Sequence, residues 1–224
     1  MAHGVEKNQY HFALSDLFQM YSILLKIPEN TLISGLIGGS AFDDLNEILL
    51  ELKLGGLAEQ CGITATQKYC AKQTPENLLH ELRVDYTNQF VRTTKEPRVL
   101  INESQFLKRD DPAAQPLLFV NDIALELTAL YKTVGLIRSK EFNYSEDHFA
   151  FQFEFLSRIH QILSVAKEEY AAYSEELNTY YQNHFEKWAI PFFSECEKET
   201  EVEVYKSFWL MGRRVSEEVL SRRN

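Results

Sequence analysis

The stretch TPENLLHELRVDYTNQF, residues Thr74–Phe90, decides the fold. Thr74 offers a side-chain oxygen for a helix N-cap. Pro75 suits the first helical position, where its missing N–H has no intrahelical partner, and Glu76 complements the positive end of the dipole. Leu78, Leu82, Tyr86 and Phe90 then recur every fourth position as a slowly rotating apolar stripe, which predicts a helix to about Val91. Asp85 falls beside that stripe rather than at its centre.

The same periodicity extends in both directions. Phe12, Leu14, Leu17, Phe18, Tyr21, Leu24 and Leu25 mark one face of a helix that ends before Pro28. Thr31–Ile37 reads as a short helix stopped by Gly38-Gly39. Phe42, Leu45, Ile48, Leu49 and Leu52 read as another, with Gly55-Gly56 as its stop. Leu57–Cys61 and Thr64–Lys72 read as short helical pieces. On the far side, 92–116 holds three of the six prolines and has no clear period, so it reads as a long connection of the kind that often carries function. Helical spacing resumes over Leu117–Val134 and ends at Gly135.

A shorter connection, Leu136–Tyr144, leads to a Ser145 cap and the run Phe149–Leu163. Alternation from Phe149 to Phe155 also fits a strand. The cap, the length and the spacing of Ile159, Ile162 and Leu163 favour a helix. Ser174–Phe185, Trp188–Cys196 and Thr200–Ser221 complete the chain. The expectation is an all-α fold of about 9–12 helices in a single globular helical-bundle domain spanning 1–224. Within it we expect two lobes, about 1–91 and 117–224, joined by 92–116.

The 224 residues suffice for a substantial core, and 45% hydrophobic with 25% charged residues is ordinary for a water-soluble fold. A formal net charge of −10 disfavours nucleic acid and anionic membranes and favours cationic partners. Cys61, Cys70 and Cys196 form no C-x-x-C and no zinc spacing, and read as reduced buried thiols. With no secretory h-region and no apolar run of about 20 residues, a cytoplasmic location without an integral membrane segment is expected.

Enzyme motifs are missing. There is no H-E-x-x-H, G-x-S-x-G, P-loop, G-x-G-x-x-G or Glu-x-x-His. Asp147-His148 could serve as a base pair or metal pair, with Glu154 seven positions on. Adjacent helical residues point about 100° apart and chelate one ion poorly. Three readings of Asp147 remain open here: a cap or dipole role, partner recognition, and metal-dependent hydrolysis with His148 and Glu154. For Asp85 the choice is between a salt link to Arg83, Arg92 or a lysine, and a carboxylate lining a groove. The aromatic stripes of Trp188, Phe192 and Phe193, and of Tyr205, Phe208 and Trp209, read as core.

Four segments resemble one family. Leu82-Arg83-Val84-Asp85-Tyr86-x-x-x-Phe90 is similar to the L-R-x-D-Y-x-x-L-F segment of the TorD/DmsD-type redox-enzyme maturation chaperones, within the NarJ-like superfamily. Pro97 with Glu103-Ser104-x-Phe106 resembles their P-x-x-x-x-E-S-x-Y stretch. Asp147-His148 followed by Phe153-Glu154-Phe155-Leu156 resembles D-H-x-x-x-E-L-E-F-L. His184-x-x-x-Trp188-x-x-Pro191-x-Phe193 and Tyr205-x-x-x-x-Leu210 resemble the last helices. The chain departs from the pattern at Val91-Arg92-Thr93, where the family often has Gly-Pro, and at Gln152, where an acid is common.

The resemblance implies an all-helical cytoplasmic chaperone with no cofactor of its own. Its partners would be the twin-arginine signal peptide and the apo-molybdoenzyme catalytic subunit, whose export it would delay until cofactor insertion. It also implies the candidate peptide-binding residues. Asp85, Glu103 and Asp147 would accept charge-assisted hydrogen bonds from guanidinium groups, Leu82, Tyr86, Phe90 and Phe106 would supply apolar contact, and Pro97 and His148 complete the candidate set. An assembly chaperone for a non-exported reductase subunit is the neighbouring alternative. Long helical connections would permit a domain-swapped homodimer.

Overall fold

A computed structural model describes residues 2–91, 96–111, 121–137 and 144–223. Its elements are α1 (Ala2–Leu24), α2 (Asn30–Gly38), α3 (Ser40–Glu51), α4 (Leu57–Gln60), α5 (Ile63–Cys70), α6 (Pro75–Phe90), α7 (Glu103–Phe106), α8 (Asp122–Thr133), α9 (Phe149–Val165), α10 (Tyr170–Tyr180), a π-helical turn (Tyr181–Phe185), α11 (Glu186–Glu199) and α12 (Glu203–Ser221). The fold is all-α. Among the described residues the extended pairing is one isolated antiparallel bridge, Asn102 with His148.

The chain forms two compact units, each discontinuous in sequence. One joins Met1–Leu25 to Leu100–Trp188, and the other joins Lys26–Val99 to Ala189–Asn224. These units differ from the expected lobes of about 1–91 and 117–224. The physical reason is that α1 packs its apolar face against α9, far away in sequence.

In the first unit Ala13, Leu14, Leu17, Phe18 and Tyr21 of α1 are buried, as are Phe149, Phe153, Leu156, Ile159 and Leu163 of α9. Phe18 and Phe153 meet at 5.8 Å between ring centroids, and Phe149 stacks on Trp188 at 4.0 Å. The α9 run is therefore helical, as its later spacing indicated, with its alternating phenylalanines buried on several sides. Its N-cap is His148, whose Nδ1 accepts the Ala150 N–H at 3.2 Å, rather than Ser145.

In the second unit, Thr74 caps α6 through Asn77 N–H at 3.3 Å, with Pro75 at the first position. Tyr205 stacks on Trp209 at 5.1 Å, Phe90 meets Trp209 edge-on at 6.1 Å, and Phe193 and Trp209 lie 6.2 Å apart. Gly212 lets the Phe193 ring approach α12, since a Cβ there would stand 2.6 Å from Phe193 Cε1.

Three boundaries differ from expectation. α3 ends with Lys53, not Gly55, in the left-handed conformation at φ 62°, and Leu54 N–H reaches back to Leu49 C=O at 2.7 Å. Residues 170–199 run through without the expected break near 186, because the π-helical turn continues the backbone ladder. The connection 92–116 contains α7, while 92–95 and 112–116, with Leu117 and Leu118, lie outside the described residues.

Candidate functional site

The structure turns the candidate carboxylates inward. Glu103 is fully buried, Asp147 is 1% exposed and Asp85 is 3% exposed. Buried carboxylates are tolerated only when their oxygens are bonded, and each of these is.

Asp147 lies in the first unit, just before α9, and secures the start of α7. Ser104 donates to its Oδ2 through the backbone N–H at 3.1 Å and through the hydroxyl, and Asn102 Nδ2 donates to Oδ1 at 3.2 Å. Asn121, the N-cap of α8, donates to Ser104 Oγ at 3.2 Å. The backbone locks the same junction: Glu103 N–H donates to Asp147 C=O at 2.9 Å, and Phe149 N–H to Ile101 C=O at 3.0 Å. Burial alone would raise the Asp147 pKa. The hydrogen bonds from Ser104, Ser145 and Asn102 outweigh it and hold the carboxyl below its usual range.

Glu103 lies at the first position of α7, where the helix dipole favours an acid. Its Oε2 accepts from Gln152 Nε2 at 2.9 Å. The His184 Nδ1–H donates toward both oxygens at 3.0 and 3.1 Å. His184 Nε2 stands 3.5 Å from Glu126 Oε1, so the imidazole has a carboxylate on each side. The π-helical turn supplies this histidine, and such turns recur at functional positions. Gln152 also donates to Asp147 C=O at 3.2 Å and accepts from Tyr180 Oη at 2.9 Å and Trp188 Nε1 at 3.2 Å. Glu103, Asp147, Gln152, Tyr180, His184 and Trp188 thus form one buried polar node.

Asp85 belongs to the second unit. It accepts from Gln89 Nε2, from Thr200 Oγ1 at 2.6 Å and from Glu201 N–H at 3.2 Å. It therefore holds the link between α11 and α12. Arg83 donates to Pro28 C=O at 2.9 Å, and Arg92 lies outside the described residues.

Of the nine candidate residues, the first unit brings together Glu103, Phe106, Asp147 and His148, and the second holds Leu82, Asp85, Tyr86, Phe90 and Pro97. All except half-exposed Pro97 are buried. The three carboxylates are thus buried and divided between the two units. Among the described residues no group of three His, Cys, Asp or Glu side chains is arranged to hold a metal ion. Asp147 and His148 are committed to helix ends instead. Burial pushes the Cys61 and Cys70 thiols up to about 11, away from thiolate chemistry.

Sequence reasoning missed Ser104, Asn121 and Thr200 as partners, and treated Gln152 only as a departure. The available signal was an amide between Phe151 and Phe153 in an apolar run. A buried amide needs partners, so Gln152 marks a polar node.

Comparisons with known proteins follow this geometry. Among curated proteins none matches the chain. A crystal structure from Archaeoglobus fulgidus, described as a redox enzyme maturation protein, shares 19% identity over 93% of each chain at a TM-score of 0.48. The family model for the nitrate reductase delta subunit matches residues 50–194, which include the Leu82–Phe90, Glu103–Phe106 and Asp147–Leu156 segments and His184–Phe193. The chain belongs to the nitrate reductase delta subunit family, a NarJ- and TorD-like chaperone family.

Proposed function

We propose that the chain is a maturation chaperone for a redox enzyme. It binds the apo form of a molybdenum-cofactor catalytic subunit and, where that client is exported, its twin-arginine signal peptide. It acts in the cytoplasm, where cofactor insertion precedes export. The observation that carries this reading is the family match over residues 50–194. The net charge of −10 supports it, because an apolar peptide with two guanidinium groups is attracted to an acidic surface.

The buried carboxylates are positioning residues in this account. Asp147 and Glu103 fix 101–106 in the first unit, and Asp85 fixes 200–201 in the second, so that each unit holds its own segment in one shape. The discontinuous units also suit a homodimer in which two copies exchange a terminal segment, a state that sedimentation would detect.

The family's name favours a second reading, an assembly chaperone for a nitrate-reductase-like subunit that is not exported. Affinity capture from the source cell followed by mass spectrometry separates the two. A molybdoenzyme precursor with a twin-arginine leader supports the first, and a leaderless reductase subunit supports the second. Capture with no redox-enzyme subunit enriched over a control overturns both.

A further inference from the structure

A second polar cluster lies in the first unit, within the packed faces of α1 and α9. His11 is 8% exposed and His160 is 2% exposed, and their Nδ1 atoms stand 2.8 Å apart. The outer nitrogens meet tyrosines: His11 Nε2 with Tyr170 Oη at 2.9 Å, and His160 Nε2 with Tyr181 Oη at 3.1 Å. One turn further along α1, Ser15 meets Ser157 at 3.3 Å. The helix-to-helix register is therefore read by polar groups within an otherwise apolar seam.

We propose that His11 and His160 form an acid-sensitive clasp that holds α1 on α9 while both rings are neutral and releases it when they take up protons. Only one hydrogen fits between two nitrogens 2.8 Å apart, so one ring donates and the other accepts. The tyrosine hydroxyls can donate or accept, so either tautomeric arrangement of the neutral pair is satisfied. A further proton on the accepting nitrogen removes the bond, sets two N–H groups against each other and leaves a buried cation.

The surrounding groups do not offset that cation. From α1, Lys7 places its ammonium 3.9 Å from the Tyr170 ring centroid and adds positive charge, while Tyr10 and Phe18 present rings at 6.0 Å from His11 and 5.5 Å from His160. The start of α10 presents Tyr170, and the π-helical turn presents Tyr181. Burial first, and Lys7 second, lower His11 to about 4. Burial, and then His11, lower His160 well below the ordinary range. An unfolded imidazole titrates near about 6.5. The folded pair resists protonation, so its contribution is complete above that pH and is lost as pH falls from there toward about 4.

Hydrogen exchange on the full chain tests this, with α12 as the control because it lies in the other unit. Between pH 6.5 and 4.5, α1 amide protection factors should fall by about tenfold per pH unit for each histidine that titrates on opening, well ahead of α12. Imidazole NMR signals of His11 and His160 should remain neutral down to about pH 5. The double variant His11→Leu/His160→Leu should remove the difference between α1 and α12. Ring signals titrating near pH 6.5, or parallel loss of protection in α1 and α12, would overturn the clasp. If the variant does not fold, the wild-type titration and exchange decide alone.

Discussion

The two units use the same pair of groups, a buried glutamine beside a buried carboxylate, with different completeness. In the first unit Gln152 spends both amide hydrogens, on Glu103 and Asp147 C=O, and accepts from Tyr180 and Trp188. In the second, Gln89 donates to Asp85, but its Oε1 is buried without a protein partner, as are Tyr205 Oη and Trp209 Nε1. A saturated network resists rearrangement, whereas one with unspent polar groups costs less to alter. The brace around α7 is therefore the more rigid, although His184 Nε2, 3.5 Å from Glu126 Oε1, is also buried short of a hydrogen-bond partner, and the α11–α12 link is the more adjustable.

The largest expected effect is in the rigid brace. Glu103→Ala strands Gln152 Nε2 and His184 in the interior and should cost about 3–5 kcal/mol in urea unfolding. Glu103→Gln, which keeps an acceptor, should cost less than half of that. Asp85→Ala removes the acceptor of Thr200 and Glu201 N–H and should cost about 2–3 kcal/mol. Equal losses for Glu103→Ala and Asp85→Ala would break the comparison.

Gly212→Ala sharpens it on the packing side. An alanine in a helix normally gains about 1 kcal/mol over glycine. Here the Phe193 ring occupies the space, so thermal unfolding should show a net loss of about 1–3 kcal/mol. Acid titration isolates Asp147. Its carboxyl is held below the ordinary range, so the stability it adds is present above about pH 4 and lost as pH falls further. Asp147→Asn should flatten the stability profile in that window. The smallest effect is a gain: Lys53→Gly relieves the left-handed residue after α3 and should stabilise by about 0.5–1 kcal/mol.

Much of the fold is legible in the sequence, because apolar spacing and caps are local. Thr74-Pro75 starts α6, and Gly39 and Gly135 close α2 and α8 with positive φ. The pairing of α1 with α9 is not legible, since either face of a helical run fits many partners. The π-helical turn is also hidden, because no residue type from Tyr181 to Phe185 demands it. For the candidate site the sequence identifies Asp85, Glu103 and Asp147 as special, but not the direction in which they point. A carboxylate beside an apolar stripe can face a groove or a buried backbone end. The partners that decide, Thr200 for Asp85 and Ser104 for Asp147, are 115 and 43 positions away.

The central claim is that this maturation chaperone recognises a cationic apolar leader. Calorimetric titration of the purified chain with a twin-arginine signal peptide and with its Lys-Lys counterpart tests it most directly. The account predicts saturable binding of the first, weakened at least about tenfold in the second, because a lysine ammonium does not match a carboxylate bidentately as a guanidinium does. Absence of binding to both peptides, or equal affinity for both, would contradict it.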